Sequence, residues 1–162
     1  MAFMEKNILV KKSNIPGAGK GLFTNKFIAK GTRIAEYKGK ITTWKNVDHH
    51  DGLNAYIYYV NRNHVIDASK NKKNLARYTN DVKGCENGST LKNNCIFVIE
   101  DLRVFLEAKK DIEAKSELLV AYGKEYWDII RKNKSEALSK KKKVAKSPAK
   151  KLDEQKELSD KV

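Results

Sequence analysis

The residues best suited to chemistry are tyrosines and glycines. Tyr37, Tyr56, Tyr58, Tyr59, Tyr78, Tyr122 and Tyr126 all fall in or beside short β-prone stretches. Strand alternation sends Tyr56 and Tyr58 to one face and Tyr59 to the other. Tyrosines around one cavity can line a channel for an alkyl-ammonium group, ring faces attracting the cation and hydroxyls orienting it. A sheet core with hydroxyls at its rim explains the same residues, and composition alone favours that. Pro16-Gly17-Ala18-Gly19-Lys20-Gly21-Leu22-Phe23 sets three glycines in five residues ahead of a strand, letting the backbone offer its amides and carbonyls to a ligand. It is neither a dinucleotide fingerprint nor a Walker loop, since no helix follows and Gly-Lys-Ser/Thr is missing. On its own it reads as a tight hairpin. Two further boxes, Ala76-Arg77-Tyr78-Thr79-Asn80-Asp81 and Glu117-Leu118-Leu119-Val120-Ala121-Tyr122-Gly123 with Trp127 shortly after, would each be a loop or strand end if met alone.

The elements that must position these groups are mostly strands. Ile8 to Val10, Gly21 to Thr24, Arg33 to Tyr37, Tyr56 to Val60, Val65 to Asp67, Cys95 to Ile99, Arg103 to Ala108 and Leu118 to Tyr122 are short, β-branched or aromatic, and separated by turn residues. Trp44 to His50 and Lys124 to Lys132 read as helices, the second with Tyr126, Ile129 and Ile130 on one face. The fold class expected is therefore mainly β with short helices. Composition divides the chain into an ordered domain, 1–131, and a Lys-rich tail, 132–162, which lacks aromatics and cannot offset its ordering entropy by burial.

The formal charge is +14, and the tail's eleven Lys against five acids supply +6 of it. Such an excess favours polyanions, so non-specific nucleic-acid contact through the tail is expected. Cys85 and Cys95 are too few for a disulfide framework and lack zinc-ligand spacing, and His49, His50 and His64 do not complete a site. No metal is expected. The N-terminal stretch holds no sustained apolar run, so neither a signal peptide nor a membrane span is read there. An intracellular, reducing location follows as an expectation: cytoplasm or nucleoid, or a host nucleus if the protein is exported.

The order of the motifs adds what no single motif carries. From about Ile8 to Trp127 the sequence resembles the SET-domain family. Ile15 to Phe23 resembles its glycine-bearing donor loop, and Glu36-Tyr37-Lys38-Gly39 its Glu-Tyr-x-Gly strand end. Arg77-Tyr78-Thr79-Asn80-Asp81 is similar to the Arg-Phe-Ile-Asn-His box, Asn93-Asn94-Cys95 to the Pro-Asn-Cys close, and Glu117 to Gly123 to Glu-Leu-x-x-x-Tyr-Gly. The resemblance implies small sheets with a knot-like crossing of the Asn80 and Tyr122 segments, and protein-lysine methylation with S-adenosylmethionine as cofactor. It implies backbone contacts to the donor from Ala18, Gly19 and Lys20, with Asn80, Asp81 and Tyr56 nearby and Trp127 on the adenine. Tyr122 would be the catalytic tyrosine, and Tyr37, Tyr56, Phe97 and Val120 would line the lysine channel. Phe97 and Val120 match the family's two multiplicity positions and carry no hydroxyl, so di- or trimethylation is expected. Asp81 departs from the family's His; the family uses that residue largely through its backbone, so the change is tolerable, though an acid beside the adenine would work against donor binding.

That chemistry suits these residues. Only a neutral amine can attack a methyl group, and free lysine is neutral in roughly one molecule in 2,500 at pH 7. A sulfonium about 4 Å away, at an effective dielectric near 20, repels the ammonium by roughly 4 kcal/mol. This is worth about 3 pKa units, enough to dispense with a dedicated base. The expected partner is a protein with an exposed lysine, a histone tail or another basic protein, attracted by Asp48, Asp51, Glu100 and Asp101. The competing reading is a basic nucleic-acid- or lysine-tail-binding module without catalysis. It accounts for the charge and leaves the ordered tyrosine and glycine motifs unexplained.

Overall fold

The structure, a computed structural model, describes residues 3–49, 54–84 and 90–145. His50, Asp51, Cys85 and the chain from 146 onward, including a short helix expected at Leu152 to Leu158, lie outside the described residues. The chain forms two compact units, Met1–Gly123 and Lys124–Val162.

In the first unit the described residues form nine strands: β1 (Ile8–Lys12), β2 (Lys20–Thr24), β3 (Arg33–Glu36), β4 (Lys40–Thr42), β5 (Ile57–Asn61), β6 (His64–Asp67), β7 (Cys95–Glu100), β8 (Arg103–Ala108) and β9 (Glu117–Leu118). They pair into three small antiparallel sheets, ordered β1-β2-β9, β3-β8-β7 and β4-β6-β5. The mainly β class read from the sequence is the class observed. One buried cluster draws Leu22 and Leu118 from the first sheet, Ile34, Val104 and Leu106 from the second, and Ile66 from the third. Burying side chains of this size is worth about 1.5–3 kcal/mol each, so the three sheets stand or fall together.

β4 was not legible as a strand: it is three residues long, and two of them, Lys40 and Ile41, are exposed. What fixes its entry is Gly39. A Cβ there would stand 2.4 Å from the Asp67 carbonyl oxygen and 2.7 Å from the Ala68 nitrogen, so only glycine lets the two backbones pass. The carbonyl of Lys38 accepts from Asn74 Nδ2 at 2.6 Å and Asn71 Nδ2 at 3.2 Å. Tyr37 is held between this crossing and β3.

The helix expected at Trp44 to His50 does not form over its described part. Residues 44–47 are turn and bend: Asn46 N and Val47 N both donate to Thr43 O, at 3.1 and 3.0 Å, a single turn that is not continued, and Trp44 N donates to Arg62 O at 2.9 Å. The Trp44 ring stacks on His49 at 4.8 Å and meets Tyr59 edge-on at 5.5 Å.

In the second unit α1 spans Lys124–Ala145, well past Lys132. The stretch expected as solvated coil is helical that far because Glu, Ala, Leu and Lys are all good helix formers. Within the first turns Asp128 takes ion pairs from Lys124 at i−4 and Arg131 at i+3.

Candidate active site

The site begins with a strand laid between two loops. Parallel bridges join Asn80 to Leu119 and Cys95 to Val120, so the 117–120 strand runs between the Asn80 and Cys95 segments. Val120 N donates to Asn80 O at 2.9 Å, and Asn94 and Cys95 both donate their N–H to Leu119 O. The Asn94 side chain closes the other side: Nδ2 donates to Glu117 O and Oδ1 accepts from Leu119 N, both at 2.8 Å. Buried amides must be satisfied in this way, and here the pairing fixes the register of the segment that ends at Tyr122.

Tyr122 is held at both ends by the facing loop. Its hydroxyl donates to Thr79 O at 2.6 Å, and its backbone N donates to Asp81 Oδ2 at 2.9 Å. Asn80 lies between those two anchors and turns toward the glycine loop, where its Nδ2 donates to Lys20 O at 2.9 Å. Glu117, only 3% exposed, joins the same loop from beneath. Its carboxylate accepts from Ser13 Oγ at 2.6 Å, from Asn14 N at 2.8 Å and more weakly from Asn80 Nδ2 at 3.5 Å. Gly19 adopts φ +73°, and no atom lies within 4 Å of where its Cβ would be. Beside the Lys20 carbonyl that holds the Asn80 amide, the glycine loop thus presents bare backbone, with nothing packed where a Gly19 side chain would be.

A cluster of rings forms the second part. Tyr37, Tyr58 and Phe97 meet pairwise at 5.3–5.8 Å between ring centroids, with Phe97 edge-on to both tyrosines. The Tyr37 hydroxyl donates to Tyr56 O at 2.9 Å. Burial pushes the Tyr37 phenol far above its ordinary range, against a smaller opposing effect of Arg77, and burial raises Tyr58 as well. Both are therefore neutral hydroxyls at physiological pH. The Tyr56 ring lies beneath the Arg77 guanidinium at 3.8 Å, and Arg77 Nη1 donates to Ala68 O and Ser69 O. Tyr56, Tyr58, Phe97 and Tyr122 all pack against the one core cluster, whose members include Tyr37 and Val120.

The structure thus brings Lys20, Asn80, Asp81 and Tyr122 together by direct hydrogen bonds, and Tyr37 and Phe97 by ring contact. Tyr56 touches the cluster through its carbonyl, while its ring serves Arg77. Trp127 lies in the first turns of α1, edge-on to Tyr126 at 5.1 Å. Of the acids expected to attract a substrate, Glu100 is engaged by Arg33 at 2.5 Å, and Asp51 is outside the described residues. Three residues were missed as site members. Tyr58 was readable from its position two residues after Tyr56 on the same face. Glu117 was readable as an acid leading an apolar run, which must be buried and therefore needs donors. Asn94 carried no signal apart from its place in the Asn-Asn-Cys box.

Comparison with known proteins bears on this arrangement. The family model for the SET domain matches residues 19–123. The histone-lysine N-methyltransferase ASHH1 of Arabidopsis thaliana is 34% identical over 119 residues, covering 68% of this chain and 23% of that protein. The histone-lysine N-methyltransferase set-17 of Caenorhabditis elegans is 29% identical over 140 residues, covering 86% of this chain and 48% of that protein. The chain therefore spans less than half the length of either relative. Among solved structures, the methyltransferase domain of human PR domain-containing protein 2 is similar in fold, with a TM-score of 0.54 at 24% identity over 73% of this chain and 78% of that one.

Proposed function

Because the chain belongs to the SET-domain family, we propose that it is a protein-lysine N-methyltransferase that takes its methyl group from S-adenosylmethionine. One observation carries the reading: the short segment Thr79–Asp81 grips the glycine loop through Asn80 and the Tyr122 residue through its two neighbours. A donor loop and a candidate catalytic hydroxyl are thereby fixed to one another by a single stretch of chain.

Bound S-adenosylmethionine supplies a methyl group on a positively charged sulfur. In this reading Ala18, Gly19 and Lys20 would hold the donor through their backbone, and Asn80 would border its adenosyl portion with Tyr56 nearby. Tyr37, Tyr56, Phe97 and Val120 line the lysine channel, and Tyr58 joins them. The neutral ring cluster excludes water and leaves an entering ammonium with little to solvate it, which favours release of its proton. Tyr122 donates its own proton to Thr79 O, and a phenol so engaged presents its oxygen as an acceptor to a polarised N–H or methyl. Phe97 adds no hydroxyl, so di- or trimethyl-lysine is the expected product. The substrate is a protein with an exposed lysine, a histone tail or another basic protein, and the Lys-rich segment makes salt-sensitive contacts with polyanions.

Tritium transfer from labelled donor to a mixed protein pool tests the reading. Label should enter protein and fall by about a hundredfold with Tyr122→Phe. A correctly folded, donor-binding protein that transfers no label would refute it.

A further inference from the structure

We propose that Asp81 is a positioning residue for methyl transfer, acting through Tyr122 and not on the donor; this rests on the reading of Tyr122 as the catalytic tyrosine. Asp81 is 3% exposed. A carboxylate so buried is tolerated when N–H groups converge on it, and here they do. Oδ1 accepts from Asn93 Nδ2 at 2.9 Å and Lys83 N at 3.1 Å, and Oδ2 accepts from Tyr122 N at 2.9 Å. Two oxygens at a fixed separation thereby tie the turn after Asp81, the residue that leads toward β7, and the chain just before Gly123.

The tie sits just past the end of the strand's bridging. Bridging of the 117–120 strand to Asn80 and Cys95 ends at Val120. Two residues later Asp81 takes the Tyr122 N–H while Thr79, two positions earlier in the same loop, takes the Tyr122 hydroxyl. Tyr122 is thus clamped at backbone and ring tip by one three-residue stretch. Releasing the backbone point lets the hydroxyl swing, and displacement of a reacting group by about an ångström is enough to slow a reaction strongly. A histidine at this position, as the family's box has, cannot offer two acceptor oxygens. With Oδ1 and Oδ2 both engaged by chain donors, the acid is directed at Tyr122, and donor affinity is set elsewhere.

A double-mutant cycle tests this on the full chain: the unaltered protein, Asp81→Ala, Tyr122→Phe and the pair, each measured for kcat and KM on a lysine peptide, donor Kd by calorimetry, and melting temperature. Asp81→Ala should lower kcat about tenfold and leave donor Kd within about twofold. In the Tyr122→Phe background the same change should cost less than about twofold, because the hydroxyl it positions is already gone. Asp81→Asn, which keeps one acceptor oxygen, should recover most of the loss, and it replaces Asp81→Ala in the cycle if the alanine protein does not fold. Equal losses in both backgrounds, or a loss confined to donor Kd, overturn the proposal while leaving Tyr122 in place. A Tyr122→Phe protein with full kcat removes the reading of Tyr122 and this proposal together.

Discussion

The two sides of the proposed site are made of opposite materials. The donor side is a lattice of short hydrogen bonds around two buried carboxylates, Glu117 and Asp81, with Asn80 between them. The lysine side is three aromatic rings whose contacts are van der Waals and quadrupolar, with Tyr37 alone donating a hydroxyl to the backbone, at Tyr56 O. Polar lattices fail abruptly, since removing one partner strands the others in a dry interior. Ring clusters deform gradually, because a rotated or substituted ring keeps most of its contacts. On the proposed reading the donor side should therefore control whether methyl transfer occurs, and the lysine side what it makes.

The largest break should come from Glu117→Ala. It leaves Ser13 Oγ and Asn14 N without their acceptor, and we expect a loss of about 3 kcal/mol of stability, read by denaturant unfolding. A loss under about 0.5 kcal/mol would mean that the glycine loop is held by other means. Tyr122→Phe keeps the ring and should leave stability within about 1 kcal/mol while turnover falls about a hundredfold, close to 3 kcal/mol of barrier. Activity within about twofold of the unaltered protein would exclude Tyr122 as the catalytic tyrosine. Asn80→Ala should weaken the donor about tenfold by calorimetry and abolish most of any donor-induced rise in melting temperature. Unchanged donor binding in a folded protein would dissociate Asn80 from the donor side.

Titration separates the two sides in another way. Burial pushes the Cys95 thiol from 9.0 up to about 12, partly offset by a hydrogen bond from the backbone of Leu119, and it raises Tyr37 and Tyr58 as well. The unfolded chain gives up these protons first, so stability from the neutral groups is complete below about pH 9 and declines as pH rises toward 12. Chemical denaturation between pH 8 and 11 should show a falling unfolding free energy. A rise across that range would contradict the burial of these groups. The smallest effect belongs to Phe97→Tyr, which should leave donor binding alone and shift the product toward monomethyl-lysine in mass spectra. An unaltered product distribution would mean that Tyr58 or Tyr37 already sets the limit.

The ease of reading the sequence followed the same division. The rings announced themselves: Tyr56, Tyr58 and Tyr59 sort by alternation, and Tyr59 indeed stands half-exposed against Trp44 while Tyr58 turns inward. The strands from Arg33 and Arg103 were legible from β-branched and aromatic content alone. The lattice was not legible, because nothing local tells an Asp or Glu which distant N–H will meet it: Ser13 and Glu117 are 104 residues apart. The Tyr122 N–H that meets Asp81 from 41 residues away was likewise invisible from its neighbours. Trp44 to His50 does not form a helix over its described part because the turn closed on Thr43 O is not continued, His49 N donating to Val47 O instead.

The most direct test of the central claim is where the methyl group goes. The protein should be incubated with isotopically labelled S-adenosylmethionine and a lysine-bearing protein substrate, and the product mapped by mass spectrometry. The account predicts label on lysine Nζ, accumulating beyond one methyl per lysine and slowed about a hundredfold by Tyr122→Phe. Donor bound tightly with no label on any lysine, or label placed equally well by the Phe variant, would contradict it.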